Sequence, residues 1–128
     1  MQPIIECVPN FSEGRNLQTI KTITDAIESV DGIRLLDVDP GKATNRTVVT
    51  FVGSPEDVIE AAFRGIAKAA ELIDMRNHSG EHPRMGACDV CPFIPVEGVT
   101  MEDCAELARR LGVMPSNVTH TTKPTLIN

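Results

Sequence analysis

Aromatic side chains are scarce in this sequence of 128 residues, which contains no tryptophan, no tyrosine and four phenylalanines. Isoleucine, valine, leucine and alanine must therefore build the core, and the hydrophobic fraction of 41% is enough for one domain. No apolar run approaches the length of a membrane-spanning helix, and no basic segment followed by an apolar one indicates an export signal. We therefore expect a cytoplasmic protein that does not act at a membrane.

Basic residues are also in the minority. The chain contains 12 lysines and arginines and 18 aspartates and glutamates, which gives a net charge of -6. Nonspecific binding to nucleic acid or to an anionic membrane surface needs a basic face. An acidic chain can still hold a local basic pocket, because nearby groups set the field in a pocket. The charge thus argues against nucleic acid and leaves room for a small-molecule ligand.

The chain has four cysteines, namely Cys7, Cys88, Cys91 and Cys104. A zinc site formed by His78, His82, Cys88 and Cys91 is one interpretation, since these residue types bind zinc. Cys88 and Cys91 fall in a predicted strand, however, where residues three apart point to opposite faces. We therefore predict no metal site and expect free, buried thiols in a reducing cytosol.

Hydrophobic periodicity predicts the element order β-α-β-β-α-β followed by one helix. Strands are expected at 3–8, 33–38, 47–52 and 87–93. Helices are expected after the caps Asn16 and Ser54 and after the capping box of Thr100 and Asp103. This order predicts an α+β, ferredoxin-like fold, with helices on one face of a mostly antiparallel sheet and an additional C-terminal helix.

Two features of this fold prediction concern its boundaries. The uncovered sheet face needs a second subdomain, a partner chain or a ligand to cover it. Residues 1–112 form the predicted domain, whereas threonine and asparagine dominate 113–128, which we expect to be an irregular or disordered tail.

The stretch HSGEHPRMG at residues 78–86 concentrates ionisable side chains in a long polar loop. Loops of this length inside a compact domain are usually functional or disordered. His82 lies between Glu81 and Pro83, and an imidazole with a reference pKa of about 6.5 exchanges protons near neutral pH. Two surface histidines on a solvated loop are the alternative interpretation.

Two further groups of polar residues occur at turns. Asp39 ends the second strand, and Asn45 and Arg46 precede the third, so we expect them to lie close together at one edge of the sheet. Aspartate and asparagine are also ordinary turn residues, which explains Asp39 and Asn45 equally well. The loop at 10–15, beginning with Asn10, either binds an anion through exposed N–H groups or is simply a capped, solvent-facing loop.

Several long motifs in one order resemble the formiminotransferase domain family. They are ECVPNFSEGR at 6–15, LDVD at 36–39, TNRTV at 44–48, FVG at 51–53, GEHPRMGA at 80–87 and DVCPFIP at 89–95. The likeness covers about residues 3–111. It implies two similar ferredoxin-like subdomains with a folate-binding groove between them, of which this chain is the N-terminal one.

The resemblance also implies a reaction, in which a formimino group moves from N-formimino-L-glutamate to N5 of tetrahydrofolate. Tetrahydrofolate is the expected co-substrate, no metal is expected, and His82 is the implied acid/base. We assign Asp39 to the cationic amidine and Arg46 and Arg84 to substrate carboxylates. Three residues from the same motifs complete the predicted substrate-binding set, namely Asn10, Asn45 and Glu81.

The sequence departs from the family pattern at Gly112, and no second subdomain follows it. We therefore expect activity only when a second formiminotransferase subdomain or another copy of the chain supplies the missing half. The alternative is a truncated, non-catalytic module that binds a folate or a partner. A third interpretation is a fragment that self-associates through its open sheet face.

Overall fold

The computed structural model describes residues 2–73 and 87–111. In this part of the chain there are six strands and three helices. The strands are β1 (Ile4–Cys7), β2 (Asn10–Phe11), β3 (Arg34–Gly41), β4 (Arg46–Gly53), β5 (Cys88–Val90) and β6 (Phe93–Glu97). The helices are α1 (Leu17–Glu28), α2 (Pro55–Leu72) and α3 (Met101–Leu111). The predicted tail lies outside the described residues.

The strands form one antiparallel sheet around β4. On one side β4 pairs with β3 along its whole length, and on the other it pairs first with β2 and then with β1. Beyond these, β5 pairs with β2 and β6 pairs with β1. Because β1 with β2 and β5 with β6 act as two interrupted strands, the sheet is effectively four strands wide, and the predicted ferredoxin-like fold is confirmed.

The three helices cover one face of this sheet. Alternate residues of β4 are buried, and Val49 and Phe51 are fully enclosed. They join one core with Ile23 and Ile27 of α1 and Val58 of α2. None of the helices within the described ranges is long and apolar enough to cross a membrane.

Local capping signals set the helix starts as predicted. The Asn16 side chain accepts hydrogen bonds from the N–H groups of Gln18 and Thr19, and the Ser54 hydroxyl accepts one from Asp57. Thr100 and Asp103 form a reciprocal capping box, with bonds of 3.1 and 2.9 Å. These contacts depend only on neighbouring residues, which is why the sequence reveals them.

The structure corrects two predicted features of the helices. Hydrophobic periodicity places Leu17 and Phe63 on the apolar faces of α1 and α2, but their side chains are 65% and 57% exposed. The buried stripe of α2 centres on Val58, Ala62 and Ala69, and Phe63 lies roughly 140° around the helix from Val58. Apolar character alone therefore overestimated how much of each helix is buried.

The predicted fourth strand is also corrected. It was expected at 87–93, but β5 ends at Val90 and β6 begins at Phe93 and continues to Glu97. Pro92 lies in the break, and its carbonyl accepts a hydrogen bond of 3.1 Å from the Val8 N–H. A missing N–H at Pro92 explains why the ladder stops there.

Candidate functional site

The sheet face opposite the helices carries a row of side chains that crosses four strands. Asp39 on β3 is paired with Val48 on β4, Val48 with Asn10 on β2, and Asn10 with Val90 on β5. Because Thr47 and Val49 are buried on the helix side, Val48 and its partners lie on the open side. Adjacent strands lie about 4.8 Å apart, so Asp39 and Asn10 are roughly 10 Å apart across this face.

Arg46 lies on the same face, two residues before Val48, and is half-buried. Its Nη2 donates a long hydrogen bond of 3.5 Å to Asn10 Oδ1. The Asn10 amide is fixed in turn, because its Nδ2 donates to the Val8 carbonyl at 3.1 Å. We call Asn10, Asp39 and Arg46 the open-face patch, and it places a cation, an anion and an amide on one surface.

The patch confirms that Asp39 and Arg46 come close together, although the local structure differs from the prediction. The expected turn at 39–45 is shorter, because β3 continues through Asp39 to Gly41. Asp39 is therefore an exposed residue inside an edge strand, and its neighbour across β4 is set by strand register. Its role in binding substrate stays a prediction.

The N–H groups of the loop that follows β2 are occupied from within the protein. Ser12 N–H donates to the Ala87 carbonyl at 2.8 Å, and those of Arg15 and Asn16 donate to Glu13 Oε2. Gly14 N–H donates to Asn45 Oδ1 at 2.8 Å. The anion-binding interpretation of this loop is therefore wrong for these groups. The alternative of a capped, solvent-facing loop is confirmed for the cap but not for the exposure, since Ser12 and Gly14 are buried.

Asn45 lies in the interior, with 5% of its surface exposed. Its φ is +55°, and no other non-glycine residue among residues 2–73 and 87–111 has a positive φ. Asparagine tolerates this left-handed conformation better than most residues. The structure thus gives Asn45 a contact with Gly14, and its predicted contact with substrate stays a prediction.

Three of the predicted site residues, His82, Glu81 and Arg84, lie at 74–86, outside the described residues. The described chain resumes at Ala87, whose carbonyl accepts the Ser12 hydrogen bond. Cys88 then pairs with Phe11 in the sheet. Residue 87 therefore lies beside β2, the strand that carries Asn10.

The cysteines behave as buried thiols, as predicted. All four are free and buried, and the Sγ atoms of Cys7 and Cys91 are 3.6 Å apart. Cys88 and Cys91 were expected on opposite faces, but both turn into the core, because the strand breaks between them at Val90. Within residues 2–73 and 87–111, no group of three metal-binding side chains is arranged to hold an ion.

Burial gives the protein a predictable response to alkaline pH. Burial raises the pKa of the Cys7 thiol well above its usual range, and the Cys91 thiol beside it adds to this rise. Above about pH 8.5 the unfolded chain releases the Cys7 proton while the folded chain retains it, so stability should fall by up to about 1.4 kcal/mol per pH unit. We expect urea unfolding at pH 8 to 10 to show this fall, and a shallower one in Cys7→Ala. Equal slopes in the two proteins would contradict this assignment.

Two surface clefts lie at the other end of the sheet. Their volumes are about 340 and 390 Å³, and both are lined in part by Pro3. The first lies between β1 and α3 beside the ion pair of Arg110 with Glu56, and the second lies beside Arg34 and Asp57. No residue of the open-face patch lines either cleft, so the patch and the clefts are separate.

The fold and the patch together define a ferredoxin-like lobe that presents polar residues on the sheet face opposite its three described helices. Residues 4–122 match the family described as formiminotransferase domain, N-terminal subdomain. The match includes the whole fold from β1 to α3, and the chain belongs to this family.

The relatives of the chain carry matching names. It is 58% identical to formimidoyltransferase-cyclodeaminase of Sus scrofa over 112 residues, and these residues make up 88% of this chain and 21% of that protein. It is 53% identical over 109 residues to glutamate formimidoyltransferase of Thermoplasma acidophilum, or 85% of this chain and 36% of the relative. For glutamate formimidoyltransferase of Streptococcus pyogenes, identity is 45% over 111 residues, 87% of this chain and 37% of the relative. The chain thus spans between a fifth and two fifths of these proteins.

Proposed function

We propose that this chain is the substrate-binding N-terminal lobe of a folate-dependent transferase, which moves a formimino group from N-formimino-L-glutamate to N5 of tetrahydrofolate. The open-face patch is the observation that carries this proposal. It combines a guanidinium with a carboxylate on the sheet face opposite α1, α2 and α3. A substrate with a cationic amidine and anionic carboxylates has the complementary charges.

Each charged residue of the patch has a distinct part in the proposed binding. The Arg46 guanidinium holds a substrate carboxylate, because its fork of donors matches two carboxylate oxygens. The Asp39 carboxylate faces the amidine and stabilises its positive charge. Asn10 keeps Arg46 in place through the contact between Oδ1 and Nη2.

The chemical step follows from the structures of the two substrates. N5 of tetrahydrofolate attacks the amidine carbon, which gives a tetrahedral intermediate. The C–N bond to glutamate then breaks, and the departing nitrogen must gain a proton to leave as a neutral amine. His82 is the proposed donor of that proton, a contribution typically worth about 10²–10⁴-fold in rate. Glu81 and Arg84 belong to the same motif, and we propose that they bind substrate.

One alternative is a non-catalytic module that binds a reduced folate or pairs with a second formiminotransferase subdomain. These 128 residues span 21% to 37% of the three relatives, so those proteins contain parts that this lobe does not. Formimino transfer measured in a single turnover, with and without an added second subdomain, distinguishes the lobe of an enzyme from such a module.

Calorimetry with N-formimino-L-glutamate tests the proposed binding site. Arg46→Ala should weaken binding about tenfold to a hundredfold, because hydrogen bonds to charged groups contribute about 1.5–3 kcal/mol. Arg34→Ala is the matched control, since Arg34 pairs with Val52 on the same face but lies about 20 Å farther along β4. It removes the same charge and should change the Kd less than twofold.

The comparison of Arg46→Ala with Arg34→Ala decides whether the patch is the binding site. An equal loss of affinity in both would show that only net charge matters and that the patch is not the site. Absence of binding in the unchanged chain, with either N-formimino-L-glutamate or tetrahydrofolate, would contradict the proposal as a whole.

A further inference from the structure

Arg46 is the residue on which the proposed binding depends most, and it begins β4 directly after a turn that a distant segment contacts. Residues 13–15 lie against the hairpin formed by β3 and β4. Three hydrogen bonds join them, from Gly14 N–H to Asn45 Oδ1, from the Thr47 hydroxyl to the Glu13 carbonyl and from Arg15 Nε to the Lys42 carbonyl. We call this contact the hairpin clamp.

The clamp closes tightly around Arg46. A Cβ atom built on Gly14 would lie 2.6 Å from Arg46 N and 2.8 Å from Arg46 O. Only a glycine at residue 14 allows the two backbones to approach this closely. Gly14 therefore packs directly against the peptide groups on both sides of Arg46.

Asn45 connects the clamp to the turn. It holds φ at +55°, a conformation that reverses the chain just before Arg46, and its Oδ1 fixes Gly14 at 2.8 Å. At 5% exposure its side chain lies inside the protein, whereas Arg46 reaches the open face. Asn45 thus makes its contacts inside the protein, whereas the Arg46 side chain lies at the surface.

We propose that Asn45 is a positioning residue, which holds Arg46 in its substrate-binding orientation by anchoring Gly14, and that it acts through Arg46. This inference deepens the proposed function and depends on it for the identity of the ligand. The clamp itself is a property of the chain alone. Its effect on Arg46 is therefore measurable without any ligand.

Asn45→Gly is the informative variant, because glycine keeps the positive φ at no steric cost and removes the side chain whose Oδ1 accepts from Gly14. NMR relaxation of the Arg46 Nε–H group in the unliganded chain gives the first measurement. Its order parameter should fall by about a third, the difference between a rigid and a flexible N–H group. Hydrogen exchange of the Gly14 amide should accelerate at least about tenfold, since its hydrogen bond is lost.

Two further variants control for simple loss of structure. Asn16→Gly also removes an asparagine that accepts from backbone N–H groups, here at the start of α1, and should leave the Arg46 order parameter unchanged. Asn45→Asp keeps both an acceptor for Gly14 and tolerance of positive φ, so it should retain wild-type order at Arg46. If Asn45→Gly does not fold, mobility of Arg46 in Asn45→Asp would still overturn the inference.

A double-mutant cycle then measures whether Asn45 acts through Arg46. With N-formimino-L-glutamate as the probe, Asn45→Gly should raise the Kd about tenfold in the wild-type background and less than twofold in the Arg46→Ala background. Equal effects in both backgrounds, or an unchanged Arg46 order parameter in Asn45→Gly, would overturn the inference. If Arg46 becomes mobile but the unchanged chain binds nothing, the clamp is confirmed and the proposed function fails.

Discussion

Replacing Gly14 with alanine should destabilise the protein by about 2–6 kcal/mol, a large share of the 5–15 kcal/mol that keeps a typical domain folded. The added Cβ would lie 2.2 Å from the Gly41 carbonyl oxygen, as well as against the backbone of Arg46. Overpacking of this kind costs about 1–3 kcal/mol. Moving Gly14 away to relieve it breaks the bond to the buried Asn45 side chain, which costs about 1–3 kcal/mol more.

Gly41→Ala is the matched control for this prediction. Its Cβ would meet Thr44 Oγ1 at 3.0 Å and the Arg46 carbonyl oxygen at 3.5 Å, and a hydroxyl can rotate away. Urea unfolding of the two variants should therefore show a loss several times larger for Gly14→Ala. Similar losses would mean that the hairpin clamp is not tightly packed.

His82→Ala should lower the rate of formimino transfer about 10²–10⁴-fold, the usual contribution of a positioned acid/base. The assay combines the chain with the remaining part of the Thermoplasma acidophilum relative and follows a single turnover with tetrahydrofolate. The affinity for N-formimino-L-glutamate should change little, because the proton is needed only when the C–N bond breaks.

His78→Ala provides the comparison, because it removes the other histidine of the same stretch and should leave the rate unchanged. If the two variants lose equal activity, the effect does not depend on the His82 imidazole in particular. If His82→Ala retains full activity, another group protonates the departing glutamate and the proposed mechanism is wrong.

Local signals account for the parts of the fold that the sequence predicted. The caps at Asn16, Ser54 and Thr100 depend on residues two or three positions away, and the structure confirms all three. Alternation along β4 likewise separates the buried Val49 from the half-buried Val48 on the open face. The element order and the ferredoxin-like fold follow from such short-range patterns.

Long-range contacts account for what the sequence did not reveal. Asn45 resembles an ordinary turn residue, and its contact with Gly14, 31 residues earlier, is not visible in the local sequence. The shared position of Cys88 and Cys91 depends on the break near Pro92, which simple alternation does not include. The Asn10 contact with Arg46 similarly joins residues 36 positions apart. These residues can be selected from the sequence, but the sequence does not show which of them are in contact.

The central claim is that substrate binds on the sheet face that the helices leave open. An NMR titration of the ¹⁵N-labelled chain with N-formimino-L-glutamate tests it most directly, because each backbone amide reports its own surroundings. We predict that the largest shifts occur at Asn10, Asp39 and Arg46 and that amides along α1 and α2 stay in place. Largest shifts on those helices, or around the clefts beside Pro3, would contradict the account.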